Sequence, residues 1–418
     1  MKLSHLSETL IGSEIVKLGN AISERIRNGE KIYNFTIGDF DPSIFPIPKE
    51  LEEEIIKAYK EHHTNYPPAD GIPELRKAVS VFLKDGQSLD YEPNEILIAA
   101  GGRPLIYTIF KAIVDKGDKV IYAVPSWNNN HYVHMNEGVH CKIEAKAENL
   151  FMPIAEELAP HLPGATLLCL CTPQNPTGTT LEKETLEEIC DLVLAENNSR
   201  AEGEKKLYIM YDQMYWTLTY GDTVHYNPVA LRPAMKDYTI FVGGISKAFA
   251  ATGVRVGWSL GPAFLIGKMK SILSHIGAWA PMAEQKATAR YLGQKENIQA
   301  YLIHFKAELE ERLTRIYEGF INLKKEGFAV DAVVPQAAIY LTIQFNLVGK
   351  QTADGQTLVD QAAVAAYLLS EAKLAVVPFY AFGADHSSPW YRLSVGTCKK
   401  EEIDEMLEML KQALAKLK

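Results

Sequence analysis

Lys247 stands in the run Gly243–Trp258, where glycines, alanines and aliphatic residues surround it and Arg255 is the only other charged side chain. A lysine in a surface turn would normally keep polar company. An apolar, glycine-dense setting instead strips water from the ammonium, lowers its pKa and makes the amine a nucleophile toward carbonyl groups. A second feature is the pair Gly101-Gly102, followed by Arg103, between an apolar run and a helical pattern. Backbone N–H groups at such a junction, with the positive end of a helix dipole, suit an anion such as a phosphate, although an ordinary turn has the same residues. Other familiar chemistry is missing. Gly261–Lys268 fails as a phosphate loop, because its glycine spacing is one residue too long and Met269 stands where Ser or Thr is needed. No His-Glu-x-x-His, C-x-x-C or G-x-S-x-G motif occurs, and the eleven histidines show no metal-ligand spacing, so no metal site is expected.

The elements that must position these residues are legible as short apolar runs bounded by turn residues. Strands are predicted at Ile96–Ala99, Lys119–Ala123, Val139–Glu144, Ala165–Cys171, Leu207–Tyr211, Tyr238–Val242 and Val256–Leu260. Helical patterns such as Leu105–Val114 and Leu181–Ala195 separate them. This alternation predicts an α/β domain with a mainly parallel sheet between helices, whose loops at the carboxyl ends of the strands carry ligands. From about residue 294 the pattern changes. One long helix is predicted over 296–326, then short apolar runs at Ala338–Phe345 and Leu374–Pro378, with helices over Thr357–Ala372 and Glu401–Lys416. The division expected is a large domain over 46–295, and a small α+β domain made from the weakly periodic arm 1–45 and residues 296–418.

The motifs fall in a familiar order. Ser246-Lys247-x-Phe249-x-x-Thr252-Gly253-x-Arg255-x-Gly257-Trp258 resembles the pyridoxal-phosphate lysine signature of the class I/II aminotransferases, which have the fold type I architecture. Tyr66 with Gly71 and Glu74-Leu75-Arg76, Gly101-Gly102-Arg103, Pro125-Ser126-Trp127, Asn175-Pro176-Thr177-Gly178, Asp212-Gln213-Met214-Tyr215 and Tyr391-Arg392-Leu393-Ser394 are similar to the family's other boxes, in sequence order. Each is weak alone. Together they run from about residue 36 to 400.

The resemblance implies roles. Lys247 would carry the cofactor and move the substrate's Cα proton. Asp212 would hold the pyridine nitrogen protonated by a charge-assisted hydrogen bond, although an Asp at a strand end often only caps a turn. Tyr215 and Asn175 would donate to the cofactor's phenolic oxygen, and Trp127 would stack on its ring. Backbone N–H groups of Gly101, Gly102 and Arg103, with Ser246 and Arg255, would hold the phosphate. Tyr66 would reach the phosphate of a neighbouring subunit, which implies a homodimer with shared sites. Arg392 would fork onto the substrate α-carboxylate with help from the Gly38 amide, and Trp127 and Asn175 would also face substrate. Arg103 additionally suits a distal carboxylate.

Composition agrees with such an enzyme. The 418 residues are 47% hydrophobic and 23% charged, which excludes a disordered, collagenous or coiled-coil chain. A net charge of −9 argues against nucleic acid and anionic membranes as partners. No apolar stretch approaches a membrane span, and the first residues lack the core of a signal peptide. Five cysteines, an odd number, fit a reduced cytoplasm. The expectation is a transaminase acting by a ping-pong cycle on an L-amino acid, aspartate or glutamate first, and a 2-oxo acid. An aromatic or broad-specificity aminotransferase, or a lyase of the C–S lyase or cyclopropane-forming synthase type on the same fold, is the alternative.

Overall fold

A computed structural model describes residues 2–12 and 14–418. Its strands, in chain order, are β1 Tyr33–Asn34, β2 Ile96–Ala99, β3 Lys119–Val124, β4 Val139–Glu144, β5 Ala165–Cys171, β6 Tyr208–Asp212, β7 Thr239–Gly244, β8 Gly257–Leu260, β9 Val330–Ala332, β10 Tyr340–Phe345, β11 Leu374–Ala375, β12 Val377–Pro378 and β13 Trp390–Ser394. Strands β2 to β8 form one sheet in the order β2-β8-β7-β6-β5-β3-β4. All seven predicted strands are in it.

The sheet is apolar on both faces, which is why its strands read as continuous hydrophobic runs rather than alternating ones. Within β2, Ile96 and Ile98 enter one core while Leu97 and Ala99 enter the other. The same alternation sends Ile209, Tyr211 and Phe241 to the first layer and Met210, Ile240 and Val242 to the second. Each such side chain contributes about 1.5–3 kcal/mol by leaving water.

One strand breaks the parallel order. β8 runs antiparallel to both β7 and β2. Its first residue, Gly257, therefore lies beside Gly244 and Ala99, at the edge where the other strands end. This reversal brings Arg255, two residues before β8, to the turns that follow β2 and β7.

The second core gathers around a four-stranded antiparallel sheet, order β12-β13-β10-β9. The helix Lys295–Lys325 covers it with Phe305, Leu309, Leu313, Ile316, Phe320 and Leu323, spaced three or four residues apart. Tyr33, Phe35, Phe40 and Phe45 join the same core.

The apolar run Leu374–Pro378 divides between two sheets: β11 pairs parallel with β1, whereas β12 pairs antiparallel with β13, and Val376 carries the chain between the two partners. Two expectations need correction. The helix predicted from Thr357 starts at Gln361, where the Asp360 side chain accepts the Ala363 N–H as a cap, and Thr357 bridges back to Gln351. The N-terminal arm is more regular than its sequence suggested. It contains the helix Glu14–Arg27, in which Ile22 is buried and Ile15 and Leu18 pack against Phe379 and its neighbours.

Candidate active site

Lys247 sits in the short helix Ile245–Ala248 immediately after β7. Its ammonium donates to the Gly38 carbonyl at 2.6 Å and lies 5.3 Å from the Phe40 ring centre. Burial pushes its pKa down to about 8, with Arg392 and Arg255 acting in the same direction and Asp39 against them. The lysine thus gives up its proton far more readily than an ordinary lysine, as its apolar surroundings predicted.

Asp212 ends β6, and among the described residues no cation forms an ion pair with it. Its one hydrogen bond comes from the Met214 N–H, at 3.1 Å. Burial pushes its carboxyl up to about 6. A buried carboxylate in this state favours a cation brought to it. Three residues on, Tyr215 is buried and its hydroxyl lies 2.6 Å from that of Tyr340.

Arg392, on β13, is 2% exposed although among the described residues no carboxylate forms an ion pair with it. It donates to the Thr36 carbonyl at 2.7 Å and to the Asn175 side-chain oxygen at 3.1 Å. Its guanidinium lies between the rings of Tyr340 and Phe382, 4.8 Å from each centre, and its Nε lacks a partner among the described residues. Because Asn175 accepts with its oxygen, its NH₂ group remains available to donate elsewhere.

Arg255 adopts a left-handed φ of 62°, a sparsely used conformation for a non-glycine residue. Its guanidinium donates to the Thr252 carbonyl at 2.5 Å and the Ala100 carbonyl at 2.9 Å. Gly101, with φ 84°, leaves the space this guanidinium fills, since a Cβ there would collide with it. Gly102 starts the helix Gly102–Ile113 with its N–H groups facing the same turn. Arg103 in that helix lies 4.6 Å over the Trp127 ring.

These side chains share one cavity of about 560 Å³. Of the thirteen candidate residues, eleven line it; Gly101 stands behind Arg255, and Tyr66 does not reach it. Tyr66 is 84% exposed, edge-on to Trp279 at 5.7 Å. The family model described as aminotransferase class I and II matches residues 30–410. The chain belongs to that family. It is 30% identical over 400 residues to an aspartate aminotransferase of Geobacillus stearothermophilus, covering 95% of each chain. Its fold superimposes on the aspartate aminotransferase of Rhizobium meliloti with TM-score 0.88 and 27% identity, over 100% of both chains. It superimposes on that of Thermus thermophilus, solved with maleate, with TM-score 0.86 and 28% identity, over 99% of this chain and 100% of the other. The chain is a pyridoxal-phosphate-dependent aminotransferase with the fold type I architecture.

Several lining residues of this aminotransferase had no signal in its sequence. Tyr340 reads as one more core position in an apolar run, yet its hydroxyl meets Tyr215 inside the cavity. Asp39 reads as part of a turn, and Ile15 belongs to the arm whose periodicity was weak, yet both line the cavity. Their places come from long-range packing: β1 pairs with β11, which carries the segment 35–40 beneath Arg392.

Proposed function

We propose that this aminotransferase moves the amino group of aspartate or glutamate to a 2-oxo acid, with 2-oxoglutarate as one of the acceptors. The observation that carries the proposal is the presence of two guanidinium groups, Arg392 and Arg103, in the same cavity as Lys247. Arg392 is buried, prealigned by Thr36 and Asn175, and has no carboxylate of its own, which suits it to the α-carboxylate. Arg103 sits on Trp127 as a second cation for a distal carboxylate. The relatives named aspartate aminotransferases support the same reading.

The residues present fit the cofactor. Asp212 is a buried carboxylate without a cation, as a protonated ring nitrogen requires. Tyr215 and the free NH₂ of Asn175 would donate to the phenolic oxygen, and Trp127 would cover one ring face. Arg255, Ser246 and the N–H groups of Gly101, Gly102 and Arg103 would hold the phosphate, with Gly101 leaving the space in which the Arg255 guanidinium lies. When bound, the cofactor supplies the electron sink for the charge that develops at Cα. The chain supplies the rest: Arg392 and the Gly38 N–H orient the carboxylate, and neutral Lys247 Nζ takes the Cα proton and later returns it.

The same reading places the boundary of a cofactor domain at 46–295, with 1–45 and 296–418 as the small domain. The separate core around Phe305–Phe345 and Tyr391–Leu414 supports it. Exposed Tyr66 supports a homodimer in which this residue serves the other subunit's phosphate. Five free thiols support a cytoplasmic setting, and among the described residues no helix is long and apolar enough to cross a membrane.

Half-reactions of Arg103→Ala with single amino acids test the substrate class. Aspartate and glutamate are expected to lose far more than alanine or phenylalanine. An equal loss for all four would assign Arg103 to the phosphate, and a wild type that prefers aromatic donors would overturn the dicarboxylate reading.

A further inference from the structure

The hydroxyls of Tyr215 and Tyr340 are 2.6 Å apart, with the rings edge to face at 5.5 Å between centres. Both residues are buried, and among the described residues neither hydroxyl has another hydrogen-bond partner. One proton must lie between the two oxygens, and the second is left over. The surroundings decide which tyrosine keeps the free proton. Arg392 lies 4.8 Å over the Tyr340 ring. A guanidinium on a phenol's face draws electron density from the ring and makes that O–H the better donor. Burial raises the pKa of both phenols, and Arg392 opposes the rise at both, but as the strongest opposing influence directly after burial at Tyr340 and only as a lesser one at Tyr215. Tyr340 therefore donates and Tyr215 accepts, which leaves the Tyr215 proton free inside the cavity both residues line.

We propose that Tyr340 is a positioning residue for transamination: its O–H donates to the Tyr215 oxygen, so that the Tyr215 proton is committed to the phenolic oxygen of the cofactor. The inference rests on the assignment of Tyr215 given above. Chained hydrogen bonds polarise one another, so a donor behind Tyr215 strengthens the donation in front of it. The pair also joins β10 to the turn after β6, and through the Tyr340 ring it touches the guanidinium that holds the substrate carboxylate. A hydroxyl placed here further limits Gly38, because a Cβ at that position would lie 2.8 Å from the Tyr340 oxygen.

The test is a pH titration of the visible absorbance of the holoenzyme in Tyr340→Phe, Tyr215→Phe and the double variant. Tyr340→Phe deletes one oxygen and leaves the ring under Arg392. Weaker donation from Tyr215 makes the phenolic oxygen more basic. The titration midpoint is therefore expected to rise in Tyr340→Phe by about half to one pH unit. It should rise further in Tyr215→Phe, and the double variant should match Tyr215→Phe alone. In Tyr340→Phe, kcat should fall about three- to tenfold while the amino-acid KM holds. A midpoint unchanged in Tyr340→Phe while Tyr215→Phe shifts it overturns this inference alone, and so do additive shifts in the double variant. A loss of melting temperature without a spectral shift would reduce Tyr340 to a packing role. If Tyr215→Phe leaves the midpoint in place, the Tyr215 assignment falls and this inference with it.

Discussion

Lys247 donates to the carbonyl of Gly38, 209 residues earlier in the chain, at 2.6 Å. The contact ties the helix after β7 to the segment that also passes beneath Arg392, where Thr36 accepts from that guanidinium. The amine and the guanidinium that we propose act on one substrate are thus held by neighbouring residues of a single loop.

Lys247→Ala should remove the visible cofactor band and lower turnover at least about ten-thousandfold, since both the covalent anchor and the proton carrier are lost. The fold should persist, because the lysine's only hydrogen bond is to a backbone carbonyl. Absorbance spectra and assays on the purified variant decide this, and turnover close to wild type would refute the role.

The raised pKa of Asp212 sets a direction for stability in the cofactor-free protein. Below about pH 3, folded and unfolded states both hold the proton and the group costs nothing. As pH rises through about 4 toward about 6, the unfolded chain loses the proton first, so stability falls; above about 6 the full cost remains, on the order of 3 kcal/mol. Asp212→Asn should therefore raise the urea midpoint of the cofactor-free protein at pH 7.5 and raise it far less at pH 4. The same variant should bind the cofactor more weakly, because its ring nitrogen loses the anion opposite. A variant no more stable at pH 7.5 would contradict the burial argument.

Arg392→Ala should raise the half-saturation concentration of every amino acid, by about thirtyfold or more, with the cofactor still bound. Arg392→Lys should recover only part of the loss, because an ammonium cannot present two parallel N–H groups. Stopped-flow half-reactions measure both. Equal half-saturation in wild type and Arg392→Ala would remove the carboxylate assignment.

Tyr66 permits a complementation test. If it serves the second subunit, Tyr66→Phe loses cofactor affinity, and Lys247→Ala has no active site of its own. Mixed dimers of the two variants contain one site with native Lys247 and native Tyr66, and should recover cofactor affinity and activity there. Light scattering that shows a fully active monomer would exclude shared sites.

How much of this was written in the sequence differs by element. Most strands of the main sheet were legible because both of its faces are buried, so they are nearly unbroken apolar runs with turn residues at their ends; the edge strand β4 is half exposed and alternates polar with apolar residues. Lys247, Asp212 and Asn175 were legible for a related reason. Each follows or ends such a strand, where a charged or amide residue interrupts apolar sequence. The residues outside the strands were less so. The helix Glu14–Arg27 turns Ile15, Leu18 and Ile22 inward, the first two only half-buried, and polar residues dilute the pattern.

By itself, then, the sequence determined the sheet, the order of its loops and the chemical groups those loops carry. Local apolar pattern and turn chemistry suffice for that. Only the tertiary structure decided which groups meet. The antiparallel course of β8 puts Arg255 beside Gly101, and the pairing of β1 with β11 lays Gly38 against Lys247. The register of β10 with β13 sets Thr342 opposite Arg392 and brings Tyr340 to the face of the same guanidinium. Such contacts join residues from about fifty to more than two hundred positions apart. They follow from strand pairing and core packing over the whole chain, and no local run of residues encodes them.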